Sequence, residues 1–125
     1  MSLNIYIEKR QEGYYAVKLD GRLDSHTYAD CENKLFPVLN HDPRVLLFDM
    51  AGLTYISSMG LRVIIKARKK VESKGGAVII SNLQPQIAKV FEIASALPDV
   101  NIFAGVEEAD RYFDVMQQRE LDRQK

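Results

Sequence analysis

Two adjacent hydroxyls, Ser57 and Ser58, stand in the stretch FDMAGLTYISSMGLRVIIKARKK between an apolar run and a helical pattern. Two chemistries suit them. A serine at a helix start accepts a hydrogen bond from an unpaired N–H of the first turn. Ser57 would then be an N-cap and Ser58 a tolerated first-turn residue. The same geometry is also an anion site, because a helix N-terminus offers free N–H groups and about half a positive charge. A phosphate on Ser58 would be locally tolerated there, yet it would add nearly two negative charges to a docking face. Gly60, lacking a side chain, leaves room for a partner's backbone or a nucleotide-bound loop, and Met59 adds a flexible apolar group.

Other residues carry less. The serines read I-S-S-M-G, not G-x-S-x-G, and neither a P-loop nor G-x-G-x-x-G occurs. His26, His41 and Cys31 lack metal-ligand spacing, so no metal or cofactor is expected. Asp24 and Asp49 both fall near predicted strand ends, where α/β folds place functional groups. No nucleophile has a base and an orienting group, which argues for a binding module without catalytic residues rather than an enzyme. Arg62, Lys66, Lys69 and Lys70 share one helical stripe. It is either a solvated face or one that steers an acidic partner or nucleotide phosphates.

The chain that must position these groups has 125 residues, the size of one domain. Its 17 basic and 17 acidic residues cancel, which argues against a general nucleic-acid binder. A single cysteine, Cys31, permits no internal disulfide and fits a packed thiol in a reducing cytosol. No apolar run approaches the roughly 18 residues of a membrane span. MSLNIYIEKR has no leader-like apolar segment, so a cytoplasmic location is expected.

Leu3, Ile5 and Ile7 alternate with polar residues, and Tyr15, Val17 and Leu19 do so after Gly13; a hairpin is predicted, broken or bent at Gly21. Asp24 or Ser25 would cap a helix from Tyr28, ending or kinked near Phe36 because of Pro37, before a loop at Asn40–Arg44. VLLF, ending at Asp49, predicts a strand buried on both faces, and AGLTYI a turn with a second short extended piece. Leu61, Ile64, Ile65, Arg68 and Val71 mark a helix stopped by Gly75-Gly76, and AVIIS is a further buried strand. Asn82 and Pro85 open a helix carrying Ile87, Val90, Phe91 and Ala94. One of Phe91, Ile93 and Leu97 is a candidate exposed docking residue. NIFAG predicts a short last strand, Val106–Met116 a C-terminal helix, and residues 115–125 a frayed tail. The class is α/β, with a mixed sheet of about four or five strands and about four helices packed on it.

The segment from LLFDMAGLTYISSMGL through KGGAVIISNL resembles the STAS domain of anti-sigma factor antagonists. Asp49, Ser58, Gly60, Leu61, Gly75-Gly76 and VIISNL match the family's pattern, as do Gly21 and Asp24 in LDGRLDSHT. The resemblance covers nearly the whole chain. It implies that Ser58 is phosphorylated by an anti-sigma factor that is also a serine kinase, with Ser57 a rival site. The unmodified protein would bind that kinase through Asp24, Asp49, Ser57, Ser58, Met59, Gly60 and Arg62, and phosphorylation would break the complex. A PP2C-like phosphatase would reset it. The sequence departs from the pattern at Ser57, where the family has Asp, and at Met59, where it has Ser or Thr. This account expects the Ser58 hydroxyl to project into solvent. The resemblance also admits an accessory subunit that clamps the ATPase of an ABC-type lipid transporter, without phosphorylation. A small-molecule or nucleotide-sensing domain is a third alternative.

Overall fold

A computed structural model describes residues 2–96 and 106–124. Strand β1 (Leu3–Gln11) pairs antiparallel with β2 (Tyr14–Leu23) through the predicted hairpin. Helix α1 (Tyr28–Leu39) leads into β3 (Val45–Ile56), and α2 (Ser58–Ser73) into β4 (Ala77–Ser81). Helices α3 (Pro85–Ala96) and α4 (Val106–Arg123) complete the described chain. The sheet order is β1-β2-β3-β4, with β2–β3 and β3–β4 parallel, as crossovers through α1 and α2 require. It is the mixed α/β architecture the pattern predicts.

The alternation of β1 and β2 sets one sheet face. Val17 and Leu19 are fully buried there, beside Leu46 and Phe48 of β3. Cys31, Leu35 and Leu39 of α1 and Leu61, Ile64, Ala67 and Val71 of α2 close the core over them. The α2 positions recur every three or four residues, one stripe of a helix. Each such Leu, Ile or Val contributes about 1.5–3 kcal/mol by leaving water. Burial lifts the Cys31 thiol to about 12, with Asp30 and Glu32 adding to the shift, so it stays a protonated packing group.

Several expectations are corrected. β3 runs unbroken for 12 residues instead of turning at AGLTYI. Its registry with β2 slips twice, and Gly52 lets the strand pass Asp20, whose Oδ1 would lie 2.6 Å from an added Cβ. The composition of a turn here encodes a sheet irregularity. VLLF is buried on one face and only half-buried on the other, and β4 is a half-exposed strand with Ile79 open to solvent, because the core forms on one side of the sheet. Pro37 does not end α1, which continues to Leu39. Proline in a last turn forfeits a single helical hydrogen bond. Neither Asp24 nor Ser25 is the N-cap residue of α1; Thr27 holds that position, and Asp24 closes the preceding turn. Residues 115–123 are helical, not frayed, and Gln117 among them is buried. Phe91 and Ile93 are half-buried against the core. Leu97 and NIFAG lie outside the described residues.

Candidate partner-docking site at the head of helix α2

The ends of β2 and β3 lie side by side, Leu23 opposite Ile56. The Ser57 N–H donates to the Leu23 carbonyl at 2.9 Å, and the chain then turns into α2. Ser57 is extended (φ −95°, ψ 174°), and its Oγ accepts the Gly60 N–H at 3.2 Å. It is the N-cap that its type predicts. Gly60 does not make room for a partner: it is buried, and an added Cβ would sit 2.7 Å from both the carbonyl oxygen and Cγ of Leu23. The missing side chain lets α2 press onto the end of β2.

Ser58 opens the helix, but its hydroxyl does not project into solvent. Only 2% of the residue is exposed. Its N–H and its Oγ–H both donate to Asp110 Oδ1, at 2.9 and 2.8 Å. The anion site foreseen at this helix start is therefore filled by a carboxylate of the chain itself. Two further residues of α4 fasten the cover. The Tyr55 hydroxyl donates to the Asp114 carboxylate. Gln117 accepts the Ile56 N–H at 3.0 Å and returns a hydrogen bond to the Ile56 carbonyl at 2.8 Å. Asp110, Asp114 and Gln117 fall on one stripe of α4, beside Ala109 and Phe113, which are buried in the core. Sequence reasoning missed Tyr55, Asp110, Asp114 and Gln117. The i, i+4, i+7 spacing of Asp110, Asp114 and Gln117 next to two core residues was the available signal for the α4 stripe.

Around this contact lie further charges. Burial pushes the Tyr55 phenol well above its usual range and the Asp114 carboxylate reinforces the shift, so the tyrosine remains a donor at neutral pH. The Arg22 guanidinium stacks 4.0 Å from the Tyr55 ring centroid, and its Nε lies 3.6 Å from Asp24 Oδ2. Burial by itself would raise the Asp24 carboxyl. The His26 N–H and the Thr27 hydroxyl and N–H, aided by Arg22, outweigh that and hold it below its ordinary value. Asp24 follows Leu23, whose carbonyl accepts the Ser57 N–H at the head of α2, but it is itself buried and not open to a partner.

Asp49 lies away from the head of α2. It pairs with Lys18 and Ser81, seven residues before the end of β3, roughly 20 Å along an extended strand. Hydrogen bonds from the Ala51 N–H and the Asn82 amide lower its carboxyl from the usual value. Asp24 and Asp49 are therefore not a pair. Of the predicted partner residues near the head of α2, Met59 and Arg62 remain accessible. With Tyr28, Glu32, Ile65 and Lys69 they line a groove of about 370 Å³ between α1 and α2. The basic stripe beside it is partly engaged. Lys66 binds Glu32 at 2.8 Å, Lys70 binds Asn40 at 2.9 Å, and both ammonium groups lie over the Phe36 ring. His26 and His41 are exposed. Among the described residues no three His, Cys, Asp or Glu side chains are grouped to hold a metal ion, and no helix is long and apolar enough to cross a membrane.

Comparison with known proteins agrees with this architecture. BtrV of Bordetella bronchiseptica, named as an anti-sigma factor antagonist, is 30% identical over 86 residues, which are 69% of this chain and 74% of that protein. The anti-sigma-B factor antagonist of Staphylococcus aureus is 26% identical over 107 residues, covering 86% of this chain and 98% of its own. The unphosphorylated form of the anti-sigma factor antagonist SpoIIAA superposes with a TM-score of 0.63 at 20% identity, over 72% of this chain and 83% of that one. The phosphorylated form of the Bacillus protein gives the same score and identity, over 73% and 83%. An anti-sigma factor antagonist from Mycobacterium paratuberculosis gives 0.66 at 18% identity, over 81% and 90%. The family model for the STAS domain matches residues 6–109, most of the chain, and the protein belongs to that family.

Proposed function

We propose that this protein is an anti-sigma factor antagonist whose binding to an anti-sigma factor is switched by phosphorylation of Ser58. One observation carries the choice of residue. Ser58 is the first residue of α2, and its N–H and hydroxyl already converge on a carboxylate oxygen at 2.9 and 2.8 Å. A phosphoryl group on Oγ can take over that anion position at the helix N-terminus. Ser57 is a weaker acceptor, because its Oγ is used as the cap of Gly60. The names of the relatives from Bordetella and Staphylococcus support the coarser role, and SpoIIAA is a relative in fold with both an unphosphorylated and a phosphorylated form.

In the proposed step the kinase moves the γ-phosphoryl group of ATP to Ser58 Oγ. ADP leaves and the hydroxyl proton passes to a base of the kinase. A phosphatase of the PP2C-like kind hydrolyses the ester to serine and phosphate. Asp24, Ser57, Ser58 and Gly60 are buried in this state, whereas Met59 and Arg62, which stay accessible beside the head of α2, form the docking face. Asp49 is remote from it and belongs to a different part of the surface. Incubation with an anti-sigma factor kinase and ATP, then trypsin, yields Val45–Arg62 as one peptide containing both serines. Phosphate is expected on Ser58. Phosphate on Ser57 alone, or none, overturns the assignment.

The burial of Ser58 favours one other reading, an accessory subunit of an ABC-type lipid transporter ATPase in which Ser58 only packs. Co-purification with a transporter ATPase, with Ser58 unmodified, would select it.

A further inference from the structure

We infer that α4 is a reversible cover on Ser58, held by the Asp110 carboxylate and expelled when Ser58 acquires negative charge; this rests on Ser58 being the switched residue. The cover is polar where it meets the site. Asp110 binds the N–H and Oγ of Ser58, Asp114 binds Tyr55, and Gln117 binds both peptide groups of Ile56. Such bonds can be exchanged for water when the helix lifts, each at a small net cost. Ala109 and Phe113 supply the apolar anchor. The family match ends at residue 109, one position before Asp110, so these fastening residues lie beyond it.

Two consequences follow. With Ser58 2% exposed, a kinase reaches its hydroxyl only in the state where α4 is lifted. Once phosphorylated, Ser58 loses the hydroxyl hydrogen that it donates to Asp110 and sets a second anion beside that carboxylate, and like charges at that spacing exclude each other. The intact face and the phosphorylated face then differ by the position of a whole helix as well as by charge.

Hydrogen exchange of the full chain tests this. Asp110→Ala and Ser58→Asp should each raise exchange of the α4 amides about tenfold or more, while the slow amides of β2 and β3 stay unchanged. Ser58→Asn, similar in bulk but neutral, should open α4 much less. Adding Asp110→Asn to Ser58→Asp should restore protection. Unchanged α4 exchange in both Asp110→Ala and Ser58→Asp, or equal opening by Ser58→Asn and Ser58→Asp, overturns the cover. Should Ser58→Asp melt the whole chain, Asp110→Ala alone decides. A second arm uses an anti-sigma factor kinase at limiting concentration: Asp110→Ala should speed phosphate incorporation into Ser58 severalfold, and an equal rate overturns the gating. Absence of phosphate in both proteins would defeat the phosphorylation of Ser58 and leave the exchange result to judge the cover.

Discussion

Helix α2 presents two surfaces that differ more than their sequences do. Along its flank, Met59, Arg62 and Lys69 open onto the groove shared with α1, and the charges there are exposed or loosely paired. At its head, one residue earlier, Ser58 is closed beneath α4 with every donor engaged. Both surfaces carry polar residues of ordinary type. The difference comes from a helix about 50 residues later in the chain. A polar side chain is therefore a statement about possible partners, and tertiary packing decides whether the partner is water, another protein or the same chain.

The contrast can be broken by changing the apolar anchor. Phe113→Ala removes a buried ring that packs α4 onto the core, and should cost about 3–5 kcal/mol in denaturant unfolding. A loss below 1 kcal/mol would mean that α4 is not docked in solution. Next, Gln117→Leu removes both hydrogen bonds to the buried peptide groups of Ile56 and should cost about 1–3 kcal/mol.

The head of α2 should also respond to acid. The Asp24 carboxyl is held below its unfolded value, so its contribution is present above about pH 4 and is lost as pH falls through the folded value. Asp24→Ala should remove that part of the acid dependence and cost about 1 kcal/mol at neutral pH. An unchanged difference from the parent protein between pH 6 and pH 3 would contradict the sign. The flank should respond least: Lys66→Ala breaks an exposed ion pair and should change stability by less than about 1 kcal/mol.

Most of the fold was legible because local patterns were consistent. The alternation of Leu3–Ile7, the cap at Ser57 and the stripe Leu61–Val71 each predict an element that the sheet then accepts. The errors fall where local chemistry has two uses. Ala51-Gly52 resembles a turn but lets β3 pass Asp20, and Gly60 resembles an open approach but fits against Leu23. Asp24 and Asp49 share a residue type and a position near apparent strand ends, yet the length of β3 separates them. The site itself was half legible. Ser57 and Ser58 announce a helix start and the spacing of Asp110, Asp114 and Gln117 marks a stripe of α4, but that the two meet is decided by long-range packing that no local period encodes.

The most direct measurement is the affinity of a purified anti-sigma factor for two forms of this chain, unmodified and phosphorylated at Ser58. The account predicts that the unmodified form binds and that the phosphorylated form binds at least about tenfold more weakly, a difference of about 1.4 kcal/mol. Equal affinities would contradict it.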